Sequence, residues 1–147
     1  MIGDGPARPW FESRIPDAKF AGFQVGSDLG RAVASMDIFF NPSVTEAFGN
    51  VTLESMASGL PVVAAKATGS QSLVEDKVSG RLIAPGAINQ FADALQAYCL
   101  DKDFRAQHGA AGAQRSLDFS WDAINQTVAD TYIRLIRQHA ARAAAER

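Results

Sequence analysis

Glu46 and Glu54 stand eight positions apart in the run Glu46-Ala47-Phe48-Gly49-Asn50-Val51-Thr52-Leu53-Glu54. Carboxylates accept hydrogen bonds from hydroxyls. A helix N-terminus presents free N–H groups and the positive end of its dipole to a phosphate. Two carboxylates on either side of a glycine-containing strand-to-helix turn therefore suit a ligand with both a phosphate and sugar diols. A carboxylate touching a diphosphate would be repelled, so each glutamate must face another part of the ligand. Glu54, one turn into the helix, is placed to accept from a ribose diol. Glu46, ahead of the helix, is placed to meet a sugar beyond the phosphates. A charge-assisted hydrogen bond contributes about 1.5–3 kcal/mol, enough for each to set affinity without covalent chemistry. Gly49 lets the backbone come close to a ligand or take a positive φ, and the N–H groups of Gly49, Asn50 and Val51 sit where the dipole favours a diphosphate.

The elements that hold this turn follow from pattern. Asp37-Ile38-Phe39-Phe40 is a short continuous apolar run, as expected of a strand buried on both faces of a parallel sheet. Asn50 is expected to cap the next helix, which buries Leu53, Met56 and Ala57 and stops at Gly59. Pro61–Ala64 reads as a strand, Gly69–Val74 as a short helix and Arg81–Ile83 as a last strand. Upstream, Met1-Ile2 reads as the end of a strand, residues 7–15 as a helix and Lys19–Gln24 as a strand. Ser27 is expected to cap a helix carrying Leu29, Val33 and Met36. Beyond Ala87 the spacing is purely helical, over about 88–99, 102–116 and 121–141. Strands alternating with helices predict an α/β fold: a Rossmann-like, doubly wound parallel sheet with helices on both faces. In such sheets ligands lie beyond the carboxyl ends of the strands, the edge that the Asn41–Asn50 turn occupies.

Composition narrows the classes. The 147 residues allow one domain with a real core, and 47% hydrophobic with 20% charged residues fits a globular protein. A net charge of −2 gives no general pull toward nucleic acid or anionic membrane. Cys99 is the single cysteine, so no internal disulfide forms. No apolar stretch is long enough to span a bilayer and the first residues carry no secretory pattern. The expectation is a soluble, cytoplasmic domain.

The segment Asn41–Pro85, NPSVTEAFGNVTLESMASGLPVVAAKATGSQSLVEDKVSGRLIAP, closely resembles the donor-sugar half of family 4 glycosyltransferases. The glutamate pair separated by seven residues, Met56–Ala64 (MASGLPVVA) and Trp121 at the start of the last helix carry the likeness. The resemblance implies the C-terminal half of a GT-B fold, with residues 1–120 as a donor-binding domain lacking its first elements. Residues 121–147 would be a helix that packs back on a missing N-terminal acceptor-binding domain. It further implies a retaining hexosyltransferase that moves a sugar from a nucleotide diphosphate sugar to an acceptor hydroxyl without a cofactor or metal. Glu46 would act on the donor sugar as the catalytic carboxylate. Phe48, Gly49, Asn50 and Val51 would hold the sugar and distal phosphate, and Glu54 the ribose. One departure stands out: Ser72 occupies a position where the family commonly has an acid.

Plainer roles are open to several residues. Glu54 in a first helical turn also stabilises the helix dipole. Phe48 reads equally as a core plug or a ligand contact. Gly3-Asp4-Gly5 reads as a tight turn rather than a phosphate loop. His108 and His139 are expected on surface helices without metal-ligating neighbours, Cys99 in the core, and Arg134, Arg137, Arg142 and Arg147 on a solvated face. Ser43 has no spaced histidine for a nucleophilic triad. If the acceptor half is absent, the apolar stripe Ile124, Val128, Tyr132, Leu135 and Ile136 needs another partner. A non-catalytic nucleotide-binding or interaction module is the alternative on that basis.

Overall fold

The computed structural model describes the backbone of residues 1–145 and side chains as far as Arg142. Its elements are α1 (Arg8–Arg14), α2 (Gly26–Ala34), β1 (Phe39–Asn41), α3 (Asn50–Ala57), β2 (Val62–Ala65), α4 (Thr68–Leu73) and β3 (Gly80–Ile83). They are followed by α5 (Ile88–Leu100), α6 (Lys102–Ser116), a 3₁₀ turn at Leu117–Phe119 and α7 (Trp121–Ala145). The strands form one parallel sheet in the order β1-β2-β3, with Phe39 opposite Val62 and Val62 opposite Gly80.

Every residue of β2 is buried, and alternation sends its side chains to two different layers. Val63 and Ala65 join Ile83 against Phe91, Ala94 and Tyr98 of α5. Val62 and Ala64 meet Met56 of α3 and Leu73 of α4 on the opposite face. Each fully buried valine contributes roughly 1.5–3 kcal/mol, so the central strand commits helices to both faces, as its unbroken apolar run predicts. Asp101 ends α5 and begins α6, its carboxylate accepting from the Phe104 N–H at 2.9 Å. The end of α3 closes with paired bonds, Gly59 N–H to the Met56 carbonyl at 2.9 Å and Leu60 N–H to that of Ser55 at 3.1 Å.

Several expectations are corrected. Lys19–Gln24 forms no regular strand. Met1 exchanges backbone hydrogen bonds with Lys19 and Ala21 (2.5 and 2.9 Å), but the next bond shifts to Gly22, and the pairing stops there. Ser27 does not cap α2, which starts two residues earlier than such a cap would give, at Gly26 after an extended Val25. Cys99 is exposed, because α5 turns Phe91, Ala94 and Tyr98 inward and the residue after Tyr98 lies about 100° away on a helix. His108 is only 4% exposed. Its Nδ1 lies 2.7 Å from the Tyr98 hydroxyl, and its ring packs on Phe104.

α7 meets the rest of the fold at the 3₁₀ turn. Trp121 at its start is 79% exposed, and Ile124, Val128, Tyr132, Leu135 and Ile136 are exposed as well. Arg134, Arg137, Arg142 and His139 are exposed on the same helix, while Arg147 lies outside the described residues. No described helix is long and apolar enough to cross a membrane.

Candidate functional site

One cavity of about 490 Å³ gathers both glutamates. Its walls are Met1-Ile2, Leu29, Val33 and Met36 in and just after α2, Ile38 to Asn41 along β1, and Val51, Glu54 and Ser55 on α3; Glu46 reaches it from the loop after β1. The volume falls within the range of small-molecule sites, about 300–1,000 Å³. Aliphatic and aromatic groups line most of it, and the polar groups converge from Asn41, Glu46, Glu54 and Ser55. The cavity runs along β1 between α2 and α3, and Asn41 and Glu46 mark its end at the carboxyl edge of the sheet.

The loop places Glu46 with three hydrogen bonds. Asn41 Nδ2 donates to Glu46 Oε1 at 3.2 Å. The Glu46 carbonyl accepts from Thr68 Oγ1 at 2.7 Å and from the Gly69 N–H at 3.2 Å. Gly69 makes this approach possible: a Cβ there would lie 2.7 Å from the Phe48 carbonyl oxygen and 2.9 Å from Glu46 Cβ. Among the described residues no lysine or arginine pairs with either glutamate, and no group of three metal-ligating side chains occurs.

The helix start differs from the expected capping. Gly49, with φ +93°, ψ 51° and a buried backbone, is the N-cap of α3; Asn50 is the first helical residue, and no side chain caps the helix. Glycine takes this left-handed conformation without a Cβ penalty, and an added Cβ would touch Leu73 Cδ1 at 3.4 Å. The N–H groups of Asn50 and Val51, at the first two helical positions, have no intrahelical acceptor. Just inside, the Thr52 and Ser70 hydroxyls are buried without a hydrogen-bond partner.

Of the six residues picked from sequence, Glu46, Val51 and Glu54 share the cavity. Phe48, Gly49 and Asn50 do not line it: Phe48, 39% exposed, sets its ring edge-on to Phe119 with centroids 6.1 Å apart. Sequence reasoning did not single out Asn41 and Thr68, both of which read as ordinary turn residues. Ser72, at the departure noted above, offers its carbonyl to Arg115 Nη2 at 3.2 Å, and Arg115 Nε reaches the Leu73 carbonyl at 2.5 Å. Gly3-Asp4-Gly5 is irregular, with the Asp4 carboxylate accepting from the Gly5 N–H at 2.8 Å, and the turn falls just after it at Pro6-Ala7, where the Arg8 N–H donates to the Gly5 carbonyl at 3.0 Å.

A parallel sheet with helices on both faces agrees with the fold of known proteins. The chain belongs to the glycosyl transferases group 1 family, whose match covers residues 1–101. It is 35% identical to the sulfoquinovosyl transferase SQD2 of Arabidopsis thaliana over 84% of this chain and 25% of that protein. It is 30% identical to a GDP-mannose-dependent alpha-mannosyltransferase of Corynebacterium glutamicum over 84% of this chain and 30% of that protein. The structure of Anabaena HepE in complex with UDP and glucose superposes with a TM-score of 0.75 at 32% identity, over 90% of this chain and 39% of that one. The fold is therefore that of GT-B glycosyltransferases, and the chain spans well under half the length of these relatives.

Proposed function

We propose that this chain is the donor-binding part of a retaining hexosyltransferase that uses a nucleotide diphosphate sugar. The observation that carries the reading is the meeting of Glu46 and Glu54 in one cavity at the carboxyl edge of β1. Glu54 accepts from the ribose diol, and Glu46 engages the hydroxyls of the sugar to be transferred. The backbone at Phe48, Gly49, Asn50 and Val51 holds the sugar and distal phosphate at the uncapped start of α3. Phe48 acts there through its main chain, since its ring lies against Phe119. Residues 1–120 form the donor unit, and the helix that begins at Trp121 packs on an acceptor-binding domain.

In the reaction the nucleoside diphosphate leaves and the sugar passes to an acceptor hydroxyl. The protein works by binding, orientation and stabilisation of the leaving diphosphate through N–H dipoles, without a cofactor or metal. This chain alone is inactive, and the setting is cytoplasmic. Two relatives support a nucleotide sugar as the ligand: one is named GDP-mannose-dependent, and the other was solved with UDP and glucose.

The test is transfer kinetics in a protein that joins this chain to an acceptor-binding half. Glu46→Ala and Glu54→Ala should each lower the rate by about tenfold or more, the loss of one charge-assisted hydrogen bond. Near wild-type kinetics in both would remove the assignment. A second reading, a non-catalytic nucleotide-binding module that works with a partner chain, is favoured by the exposed apolar side chains of α7.

A further inference from the structure

Glu46 is held from both sides by groups that the family match does not assign. Its carbonyl takes two donors from the first turn of α4, Thr68 Oγ1 at 2.7 Å and Gly69 N–H at 3.2 Å. Its carboxylate takes Asn41 Nδ2 at 3.2 Å. The orientation of the Asn41 amide is fixed independently, because its Oδ1 accepts from the Ser43 N–H at 3.1 Å and so turns Nδ2 toward Glu46. Asn41 is the last residue of β1, and Thr68 is the first of α4. The glutamate is thus tied both to the strand that leads into its loop and to α4, 22 residues further along the chain.

We propose that Asn41 and Thr68 are positioning residues that aim the Glu46 carboxylate at the donor sugar, an inference that rests on the donor-binding reading above. A neutral amide suits this role better than a cation would. An arginine or lysine would occupy the carboxylate in an ion pair, whereas one amide N–H orients Oε1 and leaves the remaining lone pairs to accept from sugar hydroxyls. Fixing the carbonyl as well as the carboxylate restrains both ends of a loop residue that would otherwise be ordered only at the moment of binding, at the expense of affinity. Thr68 does not line the cavity that takes the Glu46 carboxylate, and its hydroxyl proton is already donated to the Glu46 carbonyl rather than left for a ligand.

That separation makes the inference testable by calorimetry on this chain. The probes are UDP-glucose, GDP-mannose, UDP and GDP, with Thr68→Val, Thr68→Ser and Asn41→Ala compared with wild type after thermal melts have established folding. Thr68→Val removes the hydroxyl donor with little change of shape, and Thr68→Ser restores it. The expected result is that Thr68→Val and Asn41→Ala raise the Kd of the nucleotide sugar by about tenfold. The Kd of the matching nucleoside diphosphate should stay within about twofold of wild type, with Thr68→Ser behaving as wild type. If both ligands weaken equally, or if the ratio of the two Kd values stays at its wild-type level, the positioning role is overturned. If wild-type protein binds none of the four, the donor-binding reading itself falls, a result distinct from any change confined to the variants.

Discussion

At the scale of single residues, the buried polar groups divide into satisfied and unsatisfied ones, and each kind makes a prediction. The Thr52 hydroxyl is fully buried with no partner, and such a group costs stability relative to an apolar group of the same shape. Thr52→Val should therefore raise stability by about 1 kcal/mol in thermal or urea unfolding; a clear loss would mean that the hydroxyl is satisfied. His108 is buried and bonded to Tyr98. Burial first, then the Arg81 charge, holds its pKa below 6.5, with Asp76 acting weakly in the opposite sense. The unfolded chain then binds that proton more readily than the folded one. Stability from this site is full above about pH 6.5 and falls as the pH drops from there toward the folded value. Thermal melts at stepped pH should reveal that decline, and His108→Asn, which cannot titrate, should have a flatter profile. Sequence reasoning put His108 on a surface because α6 reads as polar; its buried side is His108, Gly109 and Gly112, residues that carry little apolar signal. Glu46 and Glu54 were legible because strand, turn and helix follow directly on one another. Thr68 was not, since it meets Glu46 from 22 residues away and local spacing carries no record of that contact; Asn41, five residues ahead of Glu46, has the composition of any turn residue before a proline.

At the scale of elements, β2 and the helices around it were readable because a central parallel strand must be apolar along its whole length. The strand read as Pro61–Ala64 lies one residue further on, at Val62–Ala65, and the Gly59 stop follows from its positive φ of 76°. Lys19–Gln24 was misread because aromatic and apolar content alone favours a strand, whereas a strand also needs a continuous ladder, and that ladder ends at Gly22. Helix caps were the other weak point: Asn50 is a common capping residue, but Gly49 takes the position through its positive φ. The join between the Glu46 loop and α4 depends on the bare backbone of Gly69. Gly69→Ala would press a methyl group against main-chain atoms that cannot swing away. It should lower stability by about 1–3 kcal/mol and weaken nucleotide-sugar binding as the loop shifts. Unchanged unfolding and binding would mean that the loop yields freely.

At the scale of the whole molecule, the sheet and its helices make a closed core, while α7 leaves large apolar side chains in water. Exposed stripes of this kind mark interaction surfaces. Sedimentation of the chain should report self-association, and Leu135→Lys or Tyr132→Lys should reduce it without lowering the melting temperature of the core. A monomer that binds no apolar dye would contradict this. The periodicity of α7 was plain in the sequence, but what covers it was not, because a partner leaves no trace in the spacing of the residues it touches.

The central claim is that the carboxylate pair and the start of α3 together bind a nucleotide. Ligand-observed NMR of this chain with UDP, GDP and ADP, repeated on Glu54→Ala, tests it most directly. The expected result is binding that favours one base and is lost in the variant, because the ribose diol then has no carboxylate to donate to. Absence of binding to the wild-type chain, or equal binding to wild type and Glu54→Ala, would contradict it.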